Sequence, residues 1–161
     1  MTGATAALAT SPDFVVRPAT DDDLNYVRKT WLREYAEESD WIDEVGGGVF
    51  FREHPTCIEA AFRRGAVTIA CRSSVPSGIC GFAVTEEGAP GLAQWHPEGV
   101  GRALVHFIYV KHRWRQLGVA RLLLAPFAAV PVEYTHRTHM LARLRVPEAW
   151  TFNPYPFLRS A

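Results

Sequence analysis

Residues 103 to 124, ALVHFIYVKHRWRQLGVARLLL, constrain this chain more than any other stretch. An apolar, β-type run ends at Val110, a basic segment follows, and Arg-Gln-Leu-Gly-Val-Ala then opens an amphipathic helix carrying Leu122, Leu123 and Leu124. The first N–H groups of a helix have no intrahelical partner, and the helix dipole favours negative charge beside them. Gly118 lets the backbone come close to a ligand, Ala120 adds almost no bulk, and Arg113, Arg115 and Arg121 supply charge-assisted bonds suited to phosphate oxygens. The corner therefore reads as a site for a phosphate-bearing ligand, although it matches neither G-x-x-x-x-G-K-[ST] nor G-x-G-x-x-G. The plainer alternative is a strand–loop–helix corner with solvated arginines.

At 161 residues the chain is one domain by length, and 48% hydrophobic with 21% charged residues is the balance of a soluble globular protein. The apolar stretch from Val119 to Val130 is broken by Arg121 and Pro126, so no membrane span is expected. Residues 1–12, MTGATAALATSP, lack the basic start of a signal peptide and read as a disordered lead-in to a single domain over 13–161. Cys57, Cys71 and Cys80 have no metal-ligand spacing, which suggests buried reduced thiols, no metal site and a cytoplasmic protein. The net charge of zero hides an asymmetry. Residues 1–101 carry eight Lys or Arg against fifteen Asp or Glu, and residues 102–161 carry nine against two. Such a basic half suits a ligand with several phosphates or a nucleic acid backbone, unless the two halves simply neutralise each other.

The order of elements follows from periodicity. FVVR at Phe14–Arg17 is a short strand, and Thr20 or Asp21 caps a helix to Glu38 with Leu24, Val27, Trp31, Leu32 and Tyr35 at helical spacing. Residues 39–48 read as irregular, and a second helix is expected over Pro55–Arg64 with Pro in its first turn. Strands are expected at Ala66–Arg72 and Ile79–Thr85, joined by a turn at Ser73–Gly78, and at Ala103–Val110. After the helix beginning near Val119 come a strand at Val130–Tyr134, a short helix at His139–Arg145 and a last strand at Ala149–Phe152. The expected class is mixed α/β, in the order β-α-α-β-β-β-α-β-α-β.

The hexapeptide Arg115-Gln116-Leu117-Gly118-Val119-Ala120 resembles motif A of the GNAT N-acetyltransferase superfamily, [Q/R]-x-x-G-x-[G/A]. The opening FVVRPATDDDL and the strand containing Gly81-Phe82 resemble the same family, so the likeness spans about residues 13 to 145. It implies a strongly twisted mixed sheet flanked by helices, its central strands splayed to admit acetyl-CoA as co-substrate. It also implies direct transfer of an acyl group to an amine. Carried over by position, the backbone around Ile108 faces the acetyl carbonyl, Tyr109 and Val110 lie along the pantetheine arm, and the N–H groups of Gln116 to Ala120 hold the pyrophosphate.

An ammonium is no nucleophile, so the reaction needs a proton acceptor. His106 is the candidate base: it stands nine residues before Arg115, where arylalkylamine acetyltransferases carry an active-site histidine. The glutamate that many relatives carry two residues earlier is here Leu104. Strict alternation would put Leu104, His106, Ile108 and Val110 on one face. The family's usual acid, a Tyr near an Asn, is missing from Thr138–Leu144; His136 and His139 are substitutes, with Tyr134 and Tyr155 farther off. Glu86 and Glu87 are candidates for holding a cationic acceptor, and Trp41, Trp95, His96 and the aromatic tail from Trp150 to Phe157 are candidates for lining its pocket. The acceptor is a small amine or an amino group on a macromolecule. Two further readings remain: a phage-type GNAT-like enzyme modifying a DNA nucleobase, and an inactive CoA-binding or protein-interaction module.

Overall fold

Phe14 and Val16 are buried on one face of β1 (Phe14–Pro18) while half-buried Val15 and Arg17 lie on the other, and that alternation sets the first joint of the molecule. The computed structural model describes residues 13–63, 67–87, 103–139 and 147–153. Arg17 grips Asp23 through two bonds of 2.7 and 3.0 Å, and the Thr20 N–H donates to the same carboxylate at 2.8 Å. The Arg17 bond holds the Asp23 carboxyl below the usual carboxylate range. This clamp ties the sheet to the start of α1 (Leu24–Glu38), whose buried stripe is Val27, Trp31 and Tyr35.

Two helices follow where the sequence suggests one. The stretch expected to be irregular holds α2 (Trp41–Val45) and the start of α3 (Gly47–Arg63), so Pro55 lies inside a helix and not in its first turn. An interior proline costs a helix about 3 kcal/mol. Phe50, His54, Cys57, Ile58, Ala61 and Phe62 form one continuous buried stripe, and burying it offsets that cost.

The sheet runs β1, β2 (Val67–Arg72), β3 (Val75–Glu87), β4 (Ala103–Val110), β5 (Val132–Tyr134), β6 (Trp150–Phe152), each strand beside its chain neighbour. The first four are antiparallel, whereas β4, β5 and β6 are parallel. β3 starts at Val75, earlier than the expected Ile79, and β5 is three residues long. The short helix expected at His139–Arg145 falls mainly outside the described residues. One face of the sheet packs on α1 and α3 around Trp31, Ile58, Phe82 and Phe107. The other packs on α4 (Val119–Leu124) through Val16, Ala70, Ala83, Val119 and Leu123.

Gly81 of β3 sits opposite Val110 of β4, and a Cβ there would run into the Tyr109 carbonyl oxygen. The obstacle is backbone, so it cannot rotate away. Gly81→Ala is expected to lower stability by about 1–3 kcal/mol, the usual range for overpacking, as read from urea unfolding. Unchanged stability would mean that the two strands separate freely at this point.

Candidate active site

β4 carries one residue more than its partner. Val84 pairs with Phe107 but Thr85 pairs with Val105, so His106 is the extra residue of a β-bulge. The bulge breaks the alternation expected along this strand. Ala103 and Val105 pack with Phe127, while Phe107 and Tyr109 pack on the α1/α3 side and Ile108 and Val110 on the α4 side. Leu104, His106, Ile108 and Val110 therefore do not share one face.

The bulge coincides with a fork in the sheet. β5 pairs with β4 only from Ala103 to Val105, and the Thr135 N–H adds a last bond to the Val105 carbonyl at 3.1 Å. Beyond it β4 continues to Val110, and among the described residues no strand pairs with its β5-facing edge. His106 stands at the apex of this fork.

The His106 side chain is wholly buried. Its Nε2 lies 2.9 Å from Glu86 Oε1 and its Nδ1 lies 3.1 Å from the Thr135 hydroxyl, which is 2.8 Å from His136 Nδ1. One proton assignment satisfies all four groups: His136 Nδ1–H donates to Thr135, Thr135 donates to His106 Nδ1, and His106 Nε2–H donates to Glu86. Glu86 is the member that reaches solvent, with 12% of its side chain exposed.

Behind this chain lies an aromatic layer. Trp31 stacks on Phe107 at 5.1 Å, and the His136 ring meets Tyr35 edge-on at 4.4 Å. His54 is sandwiched between Phe50 at 4.3 Å and Tyr35 at 5.5 Å. Burial pushes His54 down to about 4 and His136 well below the ordinary imidazole value, so both rings are neutral near pH 7.

The other sequence candidates fall in two places. Tyr134 turns toward β6, packing with Trp150 and Phe152, and His139 is half-exposed and 3.2 Å from Asp40. Neither shares a contact with His106 among the described residues. The loop after β4 turns through left-handed backbone. Gln116 and Gly118 adopt φ of +65° and +82°, and a Cβ on Gly118 would meet nothing within 4 Å. The Arg115 Nε–H donates to the Val110 carbonyl at 3.0 Å, which braces the loop on the strand end. Val119 is buried as the anchor of α4, while Arg113, Gln116, Leu117, Gly118, Ala120 and Arg121 are solvent-facing. Sequence reasoning missed Thr135, because a residue just past a three-residue strand carries no periodic signal.

No protein-family model and no curated protein sequence matches the chain. Solved structures do. A protein from Corynebacterium glutamicum, described as histone acetyltransferase HPA2 and related acetyltransferase, aligns with a TM-score of 0.51 at 16% identity, over 81% of each chain. A GNAT-family acetyltransferase from Listeria monocytogenes aligns at 0.46 and 16% identity, over 70% of this chain and 66% of its own, just under two thirds. A GNAT-family acetyltransferase from Brucella melitensis, solved in complex with acetyl-CoA, aligns at 0.44 and 14% identity, over 83% and 82%. The fold is that of the GNAT acetyltransferases.

Proposed function

We propose that this chain is an acyl-CoA-dependent N-acyltransferase that uses the fork between β4 and β5 as its reaction site. The observation that carries the reading is the conjunction of three features on one strand. A bulged, carboxylate-paired His106 stands at the fork, the Ile108–Val110 edge lies beyond it, and a left-handed turn at Gly118 leads into α4.

The residues present fit acyl-CoA. The Ile108–Val110 edge has the backbone groups to pair with an amide-bearing arm, and the left-handed turn at Gln116–Gly118 leaves open space beside Gly118 for a close backbone approach by a phosphate. When bound, acyl-CoA supplies the thioester carbonyl that an amine attacks. The chain's own part is to orient the amine and remove its proton. Glu86 reaches solvent, holds the incoming ammonium and takes its proton on the carboxylate, while His106, fixed by Thr135, donates its Nε2–H to that carboxylate and orients it. Oxyanion stabilisation falls to backbone N–H groups of β4 near the bulge. His139 and Tyr134 stand apart from this arrangement, and the proton of the leaving thiolate is assigned to solvent. The acceptor is a small amine or an exposed amino group, and a cytoplasmic setting belongs to the same reading.

The test is thermal unfolding with and without acetyl-CoA, followed by an amine screen. A ligand held only by the folded state at about 100 times its Kd adds about 2.7 kcal/mol, several degrees for a chain of this size. Gly118→Trp is expected to abolish that shift, because an indole fills the open turn and a side chain resists φ of +82°. A shift that survives the substitution removes the loop from the cofactor site. A shift without turnover of any amine makes the chain a CoA-binding module.

A further inference from the structure

A second concave surface lies on the α1 side of the sheet, opposite the face that carries α4. It is a groove of about 780 Å³ between the first half of α1 and the end of β4. Lys29 and Arg33 project from α1, Lys111 and Arg113 from the loop after β4, and Tyr26 and Tyr109 form the floor. No Asp or Glu lines it among the described residues. Arg33 is paired with Glu34 at 2.8 Å, but no described carboxylate pairs with Lys29, Lys111 or Arg113. Lys111 sits over the Tyr26 ring at 5.0 Å, which holds its ammonium at the groove wall. Burial pushes the Tyr26 hydroxyl up to about 12 and raises that of Tyr109, so both remain hydrogen-bond donors at neutral pH.

We infer that this groove is a phosphate-binding site for a phosphorylated organic ligand. Two lysines without carboxylate partners, Lys29 and Lys111, beside neutral hydroxyl donors match the charge and acceptor oxygens of a phosphate better than those of a single carboxylate, while the Arg113 guanidinium at the groove's end lies over the Trp114 ring. The volume far exceeds that of an inorganic ion, and the tyrosine rings offer apolar contact to the body that carries the phosphate. Lys29, Arg33 and Tyr26 belong to α1 and take no part in the turn at Gly118, so the groove adds a contact that the proposed cofactor loop does not contain. Two sources fit this chemistry: a phosphate of the acyl donor outside its pyrophosphate, or a phosphate on the acceptor. Only that choice rests on the proposed acyltransferase reading.

The experiment is calorimetric titration of the full chain with inorganic phosphate, CoA and dephospho-CoA, comparing wild type, Lys29→Glu and Arg52→Glu. Arg52 lies on α3, outside the groove, with 69% of its side chain exposed, and its substitution makes the same change in net charge. Lys29→Glu is expected to weaken phosphate binding about tenfold, the loss of one charge-assisted contact, with Arg52→Glu neutral. If wild type prefers CoA to dephospho-CoA and Lys29→Glu erases that preference, the occupant is the 3′-phosphate of the donor. If only inorganic phosphate weakens, the occupant is a phosphorylated acceptor. Equal effects of the two substitutions, or none from Lys29→Glu, overturn the site. A wild type that binds phosphate through Lys29 but neither form of CoA leaves the groove standing and removes the acyl-CoA reading.

Discussion

His106→Ala lowers the turnover of amine acylation by about 10²–10⁴-fold, the span usually lost when a positioned proton-accepting unit is broken, while acetyl-CoA affinity stays near wild type. The split between turnover and binding follows from position. His106 is buried at the fork with its ring held by Glu86 and Thr135, and the loop expected to hold the pyrophosphate begins several residues farther along β4. Glu86→Gln keeps an acceptor oxygen for the His106 Nε2–H but removes the charge that takes the proton, so it should lower kcat at least as much and leave KM for acetyl-CoA unchanged. Since a deletion in a buried strand can also loosen the sheet, the acetyl-CoA-induced rise in Tm serves as the fold control. A folded His106→Ala protein with an unaltered rate would show that solvent or another group takes the proton.

Acidification from pH 7 to pH 5 costs the protein about 2 kcal/mol through His54 alone, given a folded-state value near 4 against an ordinary 6.5. The sign follows from burial. The unfolded chain takes up protons below pH 6.5, whereas the folded chain keeps the ring neutral between Phe50 and Tyr35. The stability carried by the neutral ring is complete above pH 6.5 and is lost progressively as the pH falls toward 4. His136, also depressed by burial and by the neighbouring His54 and His106 rings, acts in the same direction. Asp23, held low by Arg17, loses its contribution only at more acid pH, so the window between 6.5 and 4 belongs to the histidines. For a chain of this length the His54 share is a fall in Tm of about 4–8 °C. His54→Phe preserves the stacked layer and should remove that share. Parallel pH dependences for the variant and wild type would show that His54 titrates normally in the fold.

How far the chain could be read in advance depends on the range over which each feature is decided. The strand–loop–helix corner at Val110–Val119 was legible because glycine, arginine and the switch from β to helical periodicity are local signals, and the turn at Gly118 forms where they place it. The helix from Pro55 onward was expected, but its extension back to Gly47 was not, since that part depends on a buried stripe whose worth is set by α1 and the sheet. The alternation inferred along β4 failed at His106 for a similar reason. A bulge is a mismatch between two strands, and neither strand's own sequence records it.

The candidate site divides along the same line. His106 and Glu86 were each visible as chemistry-bearing residues. Their pairing across twenty positions, and the Thr135 hydroxyl that links them to His136, arises only when β3, β4 and β5 lie side by side. Composition and periodicity were sufficient for the class of fold, the order of its main strands and helices and the strand–turn–helix corner at Gly118, because these rest on near-neighbour spacing and backbone preference. The register shift that brings His106 to the fork, the neutral state of the buried histidines and the basic groove between α1 and β4 were decided by the tertiary structure. Each depends on what faces a side chain from a distant part of the chain, and therefore on desolvation and geometry that no local window contains.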